Sequence, residues 1–98
     1  MTIEENIFKH AEISKNALAG YGFRQAKGLW ILERPFMNGD FKAVIRVDSA
    51  GHVSGTVYEI VTEDEYLPLR VESMDGFAAE VRNAYIEILK DIKEKYKI

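Results

Sequence analysis

Few side chains in this sequence are of a type and spacing that could do chemistry. Glu63-Asp64-Glu65 supplies hard oxygen ligands of the kind a divalent cation takes. Consecutive acids point apart, however, and no EF-hand spacing or central glycine accompanies them, so the run reads as a solvated turn. His10 and His52 are isolated, without the i+4 or HExxH partner of a zinc site, and His52 reads as an exposed strand residue beside a turn. Ser49, Ser54 and Ser73 have turn, strand and cap explanations, and no elbow motif surrounds them. Glu59 and Glu72 could act as acid and base only if the fold brought them together in a cleft. Arg70, Glu72 and Arg82 form the candidate anion or ligand site. The alternative for the two arginines is structural: pairing with Glu72, Glu80 or the acidic run, they would tie that run to the last helix. No catalytic, metal or nucleotide motif stands out, and no cofactor is expected.

With so little reactive chemistry, function must be sought on surfaces, and the surfaces follow from the strands. Phe41 to Val61 reads FKAVIRVDSAGHVSGTVYEIV, two alternating apolar runs hinged on Asp48-Ser49-Ala50-Gly51. A three-residue loop with Gly51 left-handed pairs Asp48 with His52, Val47 with Val53, Ile45 with Gly55 and Ala43 with Val57. A four-residue loop would mix the faces, because a one-residue slip flips every side chain. Asn38-Gly39, a strong type I′ signal, sets Phe36 opposite Phe41, Leu32 opposite Ile45 and Trp30 opposite Val47. The expectation is a three-stranded antiparallel meander over roughly 29–36, 41–48 and 52–61. Its inward face carries Trp30, Leu32, Phe36, Phe41, Ala43, Ile45, Val47, Val53, Val57 and Val61, with Arg34 and Glu59 near the edge. Gly55 leaves room for a helix to approach. Pro35 places the first strand at an edge, since proline cannot donate to a ladder.

The opposite face is mixed. It sets Ile31, Val44, Tyr58 and Ile60 among Glu33, Lys42, Arg46, Ser54 and Thr56. A fully solvated face would be more polar. Lys42, Val44, Arg46, Thr56 and Tyr58 are therefore the candidate partner-binding residues, facing a protein partner, a neighbouring domain or a second copy of the chain. The alternative is that the N-terminal helices cover this face.

Thr2 and Glu5 fit a capping box, and Ser14 is a second N-cap with Ile13 and Leu18 as its staple. Residues 3–19 thus form one helix or two, ended by Gly20 and Gly22. Residues 24–28 read as a loop or weak strand start, and residues 63–72 as an ordered connection interrupted by Pro68. The clearest helix spans about 76–96, capped by Ser73 or Asp75. Its stripe is Phe77, Val81, Ala84, Tyr85, Ile88, Leu89, Ile92 and Tyr96, and i,i+4 pairs Lys90–Glu94 and Asp91–Lys95 support it. That stripe is the natural cover for the inward sheet face.

At 98 residues the chain is expected to form a single α+β domain, residues 1–98. It has no cysteine, hence neither disulfides nor thiolate metal sites. The absence of a basic-then-apolar start and of any apolar run near the ~20 residues that span a bilayer makes a cytoplasmic, non-membrane protein the expectation. The net charge of −3 does not favour nucleic acid, whose binding rests on clustered lysine and arginine.

Tyr21-Gly22-Phe23, Asn38-Gly39-Asp40-Phe41, Glu65-Tyr66, Arg70-Val71-Glu72, Gly76-Phe77, Val81-Arg82 and Tyr85, in that order and spacing, resemble the N-terminal domain of the longer MmcQ/YjbR family proteins. The resemblance covers nearly the whole chain. It implies that a second, CyaY-like α+β module labelled DNA-binding would follow at about Ile98, so that the chain is a stand-alone member or one domain of a longer protein. No DNA-contacting residue carries over, because the label attaches to the second module. The functional expectation is a non-enzymatic interaction or accessory module. The alternatives are an accessory nucleic-acid-binding domain and a small-ligand-binding protein.

Overall fold

Thr2 Oγ1 accepts the Glu5 amide at 3.1 Å, and the Glu5 carboxylate accepts the Thr2 amide at 3.3 Å, closing the capping box. Helix α1, Ile3–Ile7, follows and stops at Phe8, so the N-terminal region is two helices. Helix α2, Lys15–Tyr21, ends where the Gly22 amide reaches the Ala19 carbonyl and the Phe23 amide reaches that of Leu18, the bonding pattern of a Schellman motif. The computed structural model describes residues 2–9, 15–69 and 76–96. His10, Ile13, Ser14, Arg70, Val71, Glu72, Ser73 and Asp75 lie outside the described residues.

The sheet has four antiparallel strands in the order β1-β2-β3-β4, one more than the meander expected from sequence. They are β1 Arg24–Ala26, β2 Leu29–Phe36, β3 Phe41–Val47 and β4 Val53–Glu59. The additional strand comes from Lys27-Gly28, both left-handed at φ 51° and 79°, which folds Arg24–Ala26 back on Leu29–Ile31 as a two-residue hairpin. A lysine can occupy the first turn position but does not advertise it as asparagine does. Consequently β2 is an edge strand only beyond β1, and that is where Pro35 stands.

The central register agrees with the turn chemistry: Trp30 pairs with Val47, Leu32 with Ile45, Phe36 with Phe41, Ala43 with Val57, Ile45 with Gly55 and Val47 with Val53. Gly51 adopts φ 87°, and the Asp48 carboxylate accepts the amides of Ala50 and His52, both at 2.9 Å. These bonds, led by the one from His52, hold the Asp48 carboxyl below the usual carboxylate range.

Val61 departs from the expected inward face: it is 92% exposed. The ladder ends at Glu59, where the Glu63 amide bonds the Glu59 carbonyl at 2.8 Å and the Glu59 amide bonds that of Asp64 at 2.9 Å. The chain thus turns outward before alternation can carry Val61 in. It then runs back beside β4, with Glu65 bridged to Tyr58 and the Tyr66 amide on the Val57 carbonyl, before a short 3₁₀ turn at Leu67–Leu69.

Helix α3, Gly76–Tyr96, buries Ala78, Val81, Tyr85, Leu89 and Ile92 against the sheet. Phe77, expected in this stripe, is 48% exposed and instead meets the rings of Phe41 and Tyr66 at centroid distances of 5.9 and 6.5 Å. Ala78 takes the inward position one residue later. Both N-terminal helices lie on the same side as α3: Ile3, Ile7, Phe8, Leu18 and Phe23 join the cluster of Ala43, Ile45, Val57 and Tyr85. Among the described residues, no helix is long and apolar enough to cross a membrane.

Two polar knots fix this layer. The Tyr85 hydroxyl donates to Glu4 Oε1 at 2.8 Å, joining α3 to α1 over Gly55, with Glu4 only 1% exposed. At the other knot, Arg34 donates to the Tyr21 hydroxyl at 2.6 Å, and Tyr21 donates to Asp91 at 2.7 Å. The Arg34 guanidinium also sits over the Tyr21 ring at 4.9 Å, and Lys95 pairs with Asp91 at 3.6 Å. Burial, then the bond to Asp91, raises the Tyr21 phenol above its ordinary value, while the same bond lowers Asp91.

Candidate interaction surface

Alternation along a strand makes the second sheet face a direct consequence of the first. Because Ala43, Ile45 and Val47 point to the helices, Lys42, Val44 and Arg46 of β3 point away from them. Their cross-strand neighbours Tyr58, Thr56 and Ser54 of β4 share that side, as do Glu33 and Ile31 of β2. The five candidate partner-binding residues, Lys42, Val44, Arg46, Thr56 and Tyr58, are therefore contiguous on one surface. The N-terminal helices, which could have covered it, are on the opposite side, and no described helix packs over it.

Val44 is the centre of this surface. It is buried to 9% exposure although it lies outside the main core. Lys42 and Arg24 reach Glu33 at 3.6 and 3.5 Å. Arg46, part-buried, donates to Thr56 Oγ1 at 3.2 Å, and no carboxylate among the described residues pairs with it. A groove of about 480 Å³ runs across Val44 and Tyr58, with Arg46 toward one end, Glu59 and Glu63 toward the other, and the paired Lys42 and Glu33 also along its wall. Sequence alternation puts Glu59 on the inward face. At the strand terminus its side chain lines the groove instead, and Thr62 Oγ1 donates to it at 3.2 Å. Glu63 joins it because the turn after β4 takes a left-handed residue there, φ 61°, a conformation that no glycine or asparagine marks in the sequence.

Arg82 donates to the Pro68 carbonyl at 3.4 Å, fastening the connection to α3, while its proposed companions Arg70 and Glu72 lie outside the described residues. Glu59 cannot be related to Glu72 for the same reason. His52 is exposed and pairs with Asp48 at 3.3 Å. Glu63, Asp64 and Glu65 are exposed, and no group of three histidine, cysteine or acidic residues among the described residues is placed to hold a metal. A second hollow, about 550 Å³, lies between α1 and the start of β4 above Glu4, bordered by Thr2, Phe8, His52 and Ser54. The Glu4 carboxylate is already engaged by Tyr85 and almost wholly buried, so it serves the packing of α1.

No family model, curated protein or solved structure matches this chain.

Proposed function

We propose that this chain is a non-enzymatic interaction module that meets another protein through the outer sheet face, with Lys42, Val44, Arg46, Thr56 and Tyr58 at the contact. The observation that carries the proposal is the half-apolar face of an antiparallel sheet whose described helices all pack on the other side. Alternation normally leaves such a face polar. Here Ile31, Val44 and Tyr58 interrupt it, with charged residues around them, which is the anatomy of a protein contact. A role of this kind is compatible with the resemblance to the N-terminal domain of MmcQ/YjbR proteins, where the domain would accompany a second module.

Accessory nucleic-acid binding is less well supported by the same surface. Glu33, Glu59 and Glu63 border the groove and would repel phosphates. The test is association measured by sedimentation and pull-down for the natural chain and for Arg46→Glu combined with Tyr58→Ala. Weakened association with unchanged thermal stability is expected, and unchanged association counts against the proposal. A gel-shift titration at low salt gives the competing result if salt-sensitive binding to nucleic acid appears.

A further inference from the structure

The chemistry of the outer face goes further, to the kind of segment that occupies it. Along β3 the outward residues are Lys42, Val44 and Arg46, and their electrostatic situations differ. Lys42 shares Glu33 with Arg24. Arg46 is part-buried, and its hydrogen-bond partner is the neutral hydroxyl of Thr56. A guanidinium offers five donors in a fixed fork, suited to a carboxylate. Two residues away is Val44, with Tyr58 beside it, and toward the other end stand Glu59 and Glu63 together with Lys42, whose charge is paired with Glu33.

From this gradient we infer that the face receives an acidic–apolar segment of a partner protein, its carboxylate on Arg46 and its apolar side chain on Val44 and Tyr58. No negative charge would follow on the side of Glu59 and Glu63. The inference rests on the proposed interaction role and specifies the partner. Two residues along a strand span about 7 Å, so the acidic and apolar side chains of an extended segment stand two positions apart.

The test uses the whole chain, ¹⁵N-labelled, and a blocked five-residue peptide, Thr-Glu-Thr-Ile-Thr, with glutamine and lysine replacements of its glutamate as controls. Saturable amide shifts centred on Val44, Arg46, Thr56 and Tyr58 are expected in the millimolar range. The glutamine peptide should bind at least five-fold more weakly, as should the original peptide to Arg46→Gln. Raising the salt from about 20 to about 300 mM should weaken binding, while Asn83→Ala on the exposed side of α3 should not. The inference is overturned by an absence of saturable shifts, by shifts centred elsewhere, or by equal binding of the glutamine or lysine peptide. Concentration-dependent self-association through the same residues also overturns it, by naming a second copy as occupant. If the peptide arms fail while Arg46→Glu with Tyr58→Ala still weakens association, the occupant is wrong and the surface is right; if both fail, the surface is wrong as well.

Discussion

Replacing Gly55 with alanine is the sharpest perturbation of the layer that leaves the outer face open. A Cβ built at this position collides with the Tyr85 hydroxyl and comes within 3.2 Å of Glu4 Oε1. Overpacking of this kind costs about 1–3 kcal/mol. Displacing the hydroxyl from a carboxylate that is 1% exposed adds about 1–3 kcal/mol for the weakened buried bond. Against these, alanine is favoured over glycine inside a strand by about 0.5–1 kcal/mol. The net expectation is a loss of about 3 kcal/mol, a large part of the 5–15 kcal/mol that holds a small domain together. For a domain of this size that lowers Tm by about 12–24 °C. Urea unfolding followed by tyrosine and tryptophan fluorescence gives the free energy directly. The companion variant Tyr85→Phe removes the colliding oxygen, so Gly55→Ala with Tyr85→Phe should cost about 1–2 kcal/mol less than the two changes summed. A neutral or stabilised Gly55→Ala, or strict additivity in the double variant, would refute the close approach of α1 and α3 to β4.

Tyr21→Phe removes the hydroxyl shared by Arg34 and Asp91 and should cost about 1 kcal/mol in thermal or urea unfolding. Because the folded Tyr21 pKa is raised, its contribution is complete below the ordinary phenol range and is lost as pH rises through the folded value. The natural chain should therefore weaken more steeply than Tyr21→Phe above about pH 10. Asp48 has the opposite sign: its folded pKa is lowered, so its contribution is held above the ordinary carboxylate range and lost as pH falls through the folded value. Asp48→Ala should flatten the acid limb of the stability profile below about pH 4, and an unchanged limb would show that the turn bonds do not form.

The sheet's centre was legible because two glycine turns and strict alternation specify it jointly: Gly51 fixes one hairpin, Asn38-Gly39 the other, and both yield the same face. Even there the second turn is longer than a bare Asn-Gly signal implies, taking in residues 37–40. Met37, Asn38 and Gly39 are all left-handed, with the Asp40 amide on the Met37 carbonyl at 3.1 Å. Where local chemistry is ambiguous, sequence was a poorer guide. Arg24–Ala26 is polar and its turn begins with lysine, so β1 reads only as a loop or weak strand start. Val61 continues the alternation on paper, yet hydrogen bonds around Glu59 end the strand before it. Phe77 fits a helical stripe but sits at the first turn of α3, where ring contacts with Phe41 and Tyr66 draw it sideways. Tyr21–Arg34–Asp91 joins residues up to 70 apart in sequence, and nothing local to any of the three announces the others. Tyr85–Glu4 spans 81 positions and was equally hidden.

For the surface itself, alternation was sufficient to gather Lys42, Val44, Arg46, Thr56 and Tyr58 on one side. It could not say which side the N-terminal helices would take. That follows from Phe8, Leu18 and Phe23 joining the cluster around Tyr85, and from Gly55 opening space for Glu4 on the same side. The acidic end of the groove, with Glu59 turned toward it and Glu63 in a left-handed turn, likewise emerges only from the way β4 ends.

The most direct test of the proposed interaction surface is site-specific photo-crosslinking in cells that naturally make the protein. A photoreactive residue would be placed in turn at Lys42, Thr56 and Tyr58 on the outer face, and at Asn83 and Glu87 on the exposed side of α3. Discrete protein adducts are expected from the three sheet positions, absent from the two helix positions and lost when Arg46→Glu is added. Adducts of equal yield from both sides of the molecule, or none from the sheet, would contradict the assignment of that face as the site of interaction.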